Sequence, residues 1–312
     1  MDTIWSLVIL VIGFVLLIKG ADFFVEGSSS VAKRLRVPSI IIGLTIVAMG
    51  TSLPECAVSV TASLANQNAL AVSNVIGSNI FNLMVVCGSC ALFSPLAVQK
   101  NTLKKEFPFS ILCALFLLGL GFMGMTLGRG DGIIFLLIFV CFLFSMVKSA
   151  LKARTVSEED DIELLPVWRC LLYIVGGAVA IKFGGDFVVD GASVIASKLG
   201  MSQNLIGLTV VALGTSLPEL VTSIVAARKN EVDMALGNVI GSNIFNILFV
   251  LGIAAGISPI AFIMENVTDI IILILMSAMV WIFGWTKQKI GRAEGVAMLL
   301  IYAIYMGYII VR

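Results

Sequence analysis

Residues 42–55 read IGLTIVAMGTSLPE, and residues 206–219 read IGLTVVALGTSLPE. Twelve of the fourteen positions are identical, and the other two exchange Ile for Val and Met for Leu. A second block, NVIGSNIFN, occurs at 74–82 and again, letter for letter, at 238–246. Both pairs share one offset, 164 residues. The same offset pairs Gly20 with Gly184, Asp22 with Asp186, Gly27 with Gly191, and Ser94-Pro95 with Ser258-Pro259. The duplication therefore covers roughly residues 20–95 and 184–259, and beyond it the two halves align by hydropathy alone.

The composition around these blocks is that of a membrane protein. Of 312 residues, 59% are hydrophobic and only 12% charged, about half the charge of a soluble domain, and the mean hydropathy is +1.09. Ten apolar segments approach the ~20 residues that a spanning helix needs: about 4–32, 38–64, 70–93, 107–126, 132–151, 167–197, 204–227, 234–257, 268–286 and 294–311. The expected fold is all-α and polytopic, with ten transmembrane helices in two five-helix repeats. The first repeat is placed at 1–151, an acidic linker at 152–166 and the second repeat at 167–312. Five is odd, so the second copy enters the membrane from the opposite side and the repeats are inverted. Many secondary transporters are built this way, with the binding site at mid-membrane where the repeats meet.

The loops set the orientation. Three of the twenty Lys and Arg residues (Arg129, Lys198 and Arg312) fall on the N-terminal side. Lys19 and Lys182 lie inside spans, and the other fifteen lie on the opposite side. By the positive-inside rule that opposite side is cytoplasmic. Both termini are then expected outside the cytoplasm, with the protein in the plasma (inner) membrane. The linker, with Glu158, Glu159, Asp160, Asp161 and Glu163, reads as solvated cytoplasmic chain rather than an EF-hand loop. The N-terminus, Met-Asp-Thr-Ile-Trp, has no basic region or small-residue cleavage site, so the first segment is expected to be retained.

Several classes are excluded. Net charge is +1, which gives no footprint for nucleic acid. Histidine is absent, which removes His-based zinc sites and Ser-His-Asp triads. Nothing pairs a nucleophile with a base, so no enzyme is expected. Cys87 and Cys90 form a CxxC inside an apolar segment and read as small packing residues.

The repeated blocks carry the chemistry. GTSLPE lies within a span, where polar residues are costly. Pro54 and Pro218 have no N–H to complete the helix ladder, so the helix is expected to break there and free carbonyls. Carbonyls, the hydroxyls of Thr51, Ser52, Thr215 and Ser216, and the carboxylates of Glu55 and Glu219 are hard oxygen ligands. Such sets suit Na⁺, Ca²⁺ and Mg²⁺ rather than zinc or copper. Asn74, Ser78 and Asn82 fall at i, i+4 and i+8 on one helix face, as do Asn238, Ser242 and Asn246. Gly77 and Gly241 are expected to admit a neighbouring helix closely. No Lys or Arg lies in either motif, so the two glutamates must hold cations or take up protons. Two carboxylates balance one Ca²⁺. Three Na⁺ on the same oxygens would add one net positive charge, and exchange would then be electrogenic.

Paired GTSLPE and GSNIFN motifs in two inverted five-helix halves resemble the sodium/calcium exchanger family, within the cation/Ca²⁺ exchanger superfamily. The likeness is to a compact, prokaryote-type member. It implies a diamond of four central sites. In it, Glu55 and Glu219 correspond to the calcium-coordinating acids. Thr51, Ser52, Thr215, Ser216, Ser78, Ser242 and the carbonyls of Ala48 and Ala212 correspond to sodium ligands, and Asn82 and Asn246 fill the last positions. Some relatives carry Asp where this chain has Asn246, a residue linked to potassium dependence or protonation, so the resemblance argues against potassium co-transport here. It also implies that the first and sixth spans slide as a unit.

The expected function is a Na⁺/Ca²⁺ antiporter that works by alternating access and exports Ca²⁺ from the cytoplasm. Ca²⁺ and Na⁺ are its substrates, and membrane lipid is its surroundings. No cofactor, nucleic acid or obligate protein partner is called for. The rival on the same scaffold is a Ca²⁺/H⁺ antiporter with Glu55 and Glu219 as proton carriers. A cation channel is disfavoured, since pores come from rotational symmetry about the membrane normal. Lys19, Asp22 and Glu26, with Lys182, Asp186 and Asp190, have the spacing for i,i+3 and i,i+4 ion pairs.

Overall fold

The structure, a computed structural model, describes residues 3–65, 67–153, 165–201 and 212–311. It is nearly all helical. The helices are α1 (Thr3–Leu35), α2 (Ser39–Thr51), α3 (Leu53–Leu64), α4 (Leu70–Phe93), α5 (Thr102–Gly124), α6 (Arg129–Ala153), α7 (Val167–Lys198), α8 (Leu217–Arg228), α9 (Val232–Ile257), α10 (Met264–Lys287) and α11 (Arg292–Val311). A short turn of helix, Ala212–Gly214, precedes α8. Among the described residues eight helices are long and apolar enough to cross a membrane, or nine if the bent pair α2–α3 counts as one span. The expected seventh span, 204–227, lies partly outside the described residues, as does most of the acidic linker.

Burial sorts the helices. α4 and α9 are central, with 78% of their apolar windows buried, whereas α11 is 11% buried and faces outward. The large exposed side chains of α1, α6, α7 and α11 (Ile4, Leu137, Leu171 and Ile304 among them) form the apolar exterior. That is the surface a bilayer requires. The six cysteines are free, and Cys87 and Cys90 are buried packing residues, as their setting suggested.

α1 packs along α7 on a seam of glycines. Gly13, Gly20 and Gly27 recur every seven residues, and so do Gly177, Gly184 and Gly191, at the same 164-residue offset. A seven-residue repeat stays close to one helix face. A Cβ at Gly13 would lie 2.8 Å from Val188 N, one at Gly20 2.9 Å from Ala180 Cβ, and one at Gly184 2.6 Å from Leu17 N. The two backbones therefore touch, as small-residue seams in membranes allow. α2 lies equally close on α9: a Cβ at Gly43 would be 2.5 Å from Met234 O, and one at Gly241 2.7 Å from Leu44 Cα. A Cβ at Gly77 would meet no atom of the described residues within 4 Å.

Two small strand pairs tie the halves together. Leu96–Ala97 (β1) pairs antiparallel with Lys289–Ile290 (β4), and Thr126–Leu127 (β2) with Ile260–Ala261 (β3). Each strand of one half bonds to the other half, and the exchange is reciprocal.

Candidate ion-binding site

The GTSLPE segment is the hinge between α2 and α3. The two helices meet at 49° across Ser52. Ser52 has φ −86° and ψ 11°, outside the helical well, and Pro54 sits in the first turn of α3, where a missing N–H costs nothing. Ser216 takes the same conformation, φ −95° and ψ 5°, ahead of Pro218 in α8. The break is thus placed by the proline. It puts Glu55 and Glu219 in the first turns of α3 and α8, beside N–H groups that have no partner inside the helix. Not every carbonyl is freed: Ala48 O still accepts the Ser52 N–H at 3.1 Å. Thr51 Oγ1 lies 3.2 Å from Val47 O of its own helix, and its single proton is directed across the interface to Asn238.

The two motifs meet across the repeat interface. Ser52 Oγ donates to Glu219 Oε1 at 2.7 Å, and Ser216 Oγ donates to Glu55 Oε1 at 2.9 Å. Each glutamate is therefore held by the serine of the other copy. Ser216 Oγ also lies 3.1 Å from Ser78 Oγ. Thr51, Ser52, Glu55, Asn82, Glu219, Ser242 and Asn246 are all fully buried, and Ser78 and Ser216 are nearly so.

What these side chains leave unbonded is informative. Among the described residues, Glu55 Oε2, Glu219 Oε2, Asn82 Oδ1, Asn246 Oδ1 and Ser242 Oγ are buried without a protein hydrogen-bond partner. A buried polar atom without a partner costs about 1–3 kcal/mol, more when charged. Five such oxygens, two of them on carboxylates, suit hard cations. Ca²⁺ takes six to eight oxygen ligands, and no cluster of three or more His, Cys, Asp or Glu side chains exists among the described residues to suit a softer metal. Thr215, only partly buried, lies where a cavity approaches the cage. Ala212 opens the short helical turn before α8.

The remaining asparagines brace the cage. Asn74 Nδ2 donates to Ser59 Oγ at 3.0 Å and toward Glu55 O at 3.3 Å. Asn238 Nδ2 donates to Ser223 Oγ at 2.9 Å, and its Oδ1 accepts from Thr51 at 3.1 Å. The sequence puts Asn74 and Asn238 on the same helix faces as the expected ligands Ser78, Asn82, Ser242 and Asn246. The structure instead uses their amides to fix the first turns of α3 and α8. Their acceptors Ser59 and Ser223 went unnoticed, although the 164-residue offset also pairs them. Asn79 and Asn243 were missed too. Asn79 Nδ2 donates to Asn243 O at 3.2 Å and Asn243 Nδ2 to Asn79 O at 3.1 Å, which locks α4 to α9. Asn246 Nδ2 donates to Asn79 Oδ1 at 3.1 Å. Asn79 must present its oxygen there because its nitrogen is already committed to a carbonyl, so Asn246 in turn keeps its own oxygen unbonded. Asn82 and Asn246 each open a single π-helical turn, Asn82–Val86 and Asn246–Val250. Such turns concentrate at functional sites.

Ion pairs surround the site unevenly. Lys19–Asp22 (4.0 Å) and Lys182–Asp186 (2.5 Å) form with the expected helical spacing. Lys229, which the spacing could not connect, reaches Asp22 at 3.5 Å and Glu26 at 3.6 Å. Glu231 accepts from Ser29 and, at 2.8 Å, from Ser39. These bonds hold the C-terminal part of α1 against the loop between α8 and α9. Among the described residues no ion pair holds Asp190. A cavity of about 340 Å³ opens there instead, lined by Asp186, Asp190, Pro54, Pro218, Gly214 and Thr215.

Known proteins share this architecture. The family model described as sodium/calcium exchanger protein matches residues 5–148 and 170–311. The chain is 47% identical to CaxA of Alkalimonas amylolytica over 259 residues, 81% of each protein. It is 31% identical to the sodium/calcium exchanger MaX1 of Methanosarcina acetivorans over 340 aligned positions, covering 96% of this chain and 97% of that one. The solved structure of the sodium-calcium exchanger NCX_Mj superposes with a TM-score of 0.86 at 34% identity, covering 98% and 99% of the two chains. With its apolar helices and its interlocked pair of buried glutamates, this integral, multi-pass membrane protein belongs to the sodium/calcium exchanger family of cation transporters.

Proposed function

We propose that the chain is a Na⁺/Ca²⁺ antiporter working by alternating access. The observation that carries this reading is the reciprocal pair Ser52–Glu219 and Ser216–Glu55, with the second oxygen of each carboxylate buried and unbonded. In this reading Glu55 and Glu219 hold Ca²⁺ between them. Thr51, Ser52, Ser78, Thr215, Ser216, Ser242, Asn82, Asn246 and the carbonyls of Ala48 and Ala212 complete the cage for Ca²⁺ or for several Na⁺. The two cargoes compete for the same oxygens, so one must leave before the other is bound. The reported relatives MaX1 and NCX_Mj carry the name of sodium/calcium exchangers, which supports the same pair of ions here.

The chain is read as ten spans in two inverted repeats, 1–151 and 167–312, joined by the cytoplasmic linker 152–166. The charge bias of the loops supports a plasma (inner) membrane location with both termini outside the cytoplasm. On that orientation the cavity beside Asp186 and Asp190 opens outward, and the bonds of Lys229 and Glu231 close the cytoplasmic side. The inward sodium gradient then drives Ca²⁺ out of the cell, with one positive charge moving per cycle if three Na⁺ exchange for one Ca²⁺.

The test is calcium uptake into Na⁺-loaded liposomes on dilution into Na⁺-free buffer, with a proton ionophore present. Uptake is expected to require internal Na⁺ and to vanish in Glu55→Gln and in Glu219→Gln. Uptake that ignores Na⁺ and collapses when the proton gradient is dissipated would replace this reading with Ca²⁺/H⁺ exchange.

A further inference from the structure

A second cavity lies between α5 and α6, and none of the residues of the ion cage lines it. It has a volume of about 430 Å³ and is lined by Lys105, Glu106, Phe109, Ile138, Phe142 and Met146, with Leu137, Cys141, Ser145 and Ser149 along its α6 edge. Its composition changes along its length. Lys105, Glu106, Ser145 and Ser149 gather at one end, and the rest of the lining is apolar apart from the Cys141 thiol. The rings of Phe109 and Phe142 stack face to face at 5.3 Å and form a flat wall.

Three features say what fits. First, Leu137, Cys141, Ser145 and Ser149 recur every four residues along one face of α6 and are exposed. Twelve residues at 1.5 Å each make a groove about 18 Å long. That is close to half the ~30 Å hydrocarbon thickness, the depth of one leaflet. Second, the groove opens on the outer, apolar surface of the bundle, where the occupant arrives from the bilayer. Third, the polar end carries one charge of each sign, and Glu106 Oε2 is buried without a hydrogen-bond partner. A carboxylate oxygen there calls for an N–H donor.

We propose that this groove binds an aminophospholipid, a phosphatidylethanolamine-type lipid, with one acyl chain against Phe109, Ile138, Phe142 and Met146. The Lys105 ammonium takes the phosphate, and the Ser145 and Ser149 hydroxyls lie at the same end of the groove. Glu106 Oε2 accepts from the primary ammonium of the headgroup. A choline headgroup has the same charges but no N–H to donate. A glycerol headgroup offers only neutral hydroxyls, so it satisfies Lys105 but leaves the Glu106 charge uncompensated. The bound lipid would staple α5 to α6 on the face that carries most of the basic loop residues. The ion site is not involved, so the inference stands apart from the exchange reading.

The experiment is native mass spectrometry of the purified full chain with dioleoyl phosphatidylethanolamine, phosphatidylcholine or phosphatidylglycerol added in turn. A diazirine-tailed phosphatidylethanolamine then maps the contact by photocrosslinking. One ethanolamine lipid is expected to stay bound at several-fold higher occupancy than either other lipid, with crosslinks on 109–114 and 137–146. Glu106→Gln is expected to erase the preference for ethanolamine over choline. Ile138→Trp, which fills the apolar end, is expected to remove the crosslinks while Na⁺-dependent uptake persists, which shows that the variant is folded. Equal retention of ethanolamine and choline lipids, preferential retention of the glycerol lipid, or crosslinks unchanged by Ile138→Trp would each overturn the proposal.

Discussion

Replacing Gly184 by alanine tests the α1–α7 seam directly. The added Cβ would stand 2.6 Å from Leu17 N, 2.8 Å from Gly13 O and 3.1 Å from Leu16 C. All three are backbone atoms, so no rotamer change relieves the overlap. Non-bonded atoms prefer about 3.5–4.0 Å, and the helices must therefore part by about 1 Å. A gap of that size forfeits about a quarter to a half of each neighbouring dispersion contact. Overpacking costs about 1–3 kcal/mol, and against three backbone atoms that cannot move aside the upper part of that range, about 2–3 kcal/mol, applies. Alanine's helix preference over glycine offsets about 0.8–1 kcal/mol of it, which leaves a net loss of about 1–2 kcal/mol. At about 2–4 °C per kcal/mol for a chain of this order, the thermal midpoint in detergent micelles should fall by about 2–8 °C. Gly176→Ala on the same helix is the control. Its Cβ would meet nothing within 4 Å, so only the propensity gain remains and the midpoint should hold or rise. Fluorescence-monitored unfolding of the two variants beside the wild type decides the matter. A Gly184→Ala protein as stable as the wild type, or a Gly176→Ala protein that falls as far, would refute the close-contact seam.

Three other outcomes follow from the site. Ser52→Ala and Ser216→Ala each strip a hydrogen bond from a buried glutamate. Bonds to charged groups are worth about 1.5–3 kcal/mol, so calcium transport should weaken by about 10- to 150-fold in both, and a loss confined to one variant would count against the reciprocal geometry. Asn79→Ala removes the bonds to both Asn243 O and Asn246, whereas Asn243→Ala removes one side-chain donor bond; the first should lower the unfolding midpoint more, by the equivalent of about 1 kcal/mol. Membrane potential should act on exchange with a definite sign: if three Na⁺ leave a liposome for each Ca²⁺ that enters, an interior-positive potential speeds uptake and an interior-negative one slows it. About 2.3 kcal/mol per charge per 100 mV is at stake, and an uptake rate blind to potassium–valinomycin clamping would show that the cycle moves no net charge.

Much of this was legible before any coordinates. The span at 70–93 and the break ahead of Pro54 follow from hydropathy and from the missing proline N–H, and both appear where expected. Glu55 and Glu219 were marked because a carboxylate in a mid-membrane motif, repeated at a fixed offset, has no structural use that a neutral residue would not serve better. Asn74, Ser78 and Asn82 do lie at i, i+4 and i+8 along one helix, where Asn74 commits its amide nitrogen to Ser59 and Asn82 leaves both amide atoms unbonded. Asn79 escaped notice because it sits next to Ser78 on the neighbouring face. Its importance lies in a carbonyl on another helix, 164 residues away. Lys229 and Glu231 read as ordinary loop charges, and their partners on α1 are about two hundred residues distant in sequence.

By itself the sequence determined the class of molecule, the duplication, the sites of helix breakage and the identity of the two acids. These depend on local properties: how apolar a stretch is, where an N–H is missing, which letters recur at one offset. Only the tertiary structure decided which copy serves which. Glu219 takes its hydrogen bond from Ser52 and Glu55 from Ser216, β1 pairs with β4, and Gly184 meets Leu17. The duplication makes every such contact available within a half as well as between halves. The choice falls to the docking of the halves, where buried backbones must come close enough to pack and each buried carboxylate must find a donor. That condition is met by the whole interface at once, and no window of sequence contains it.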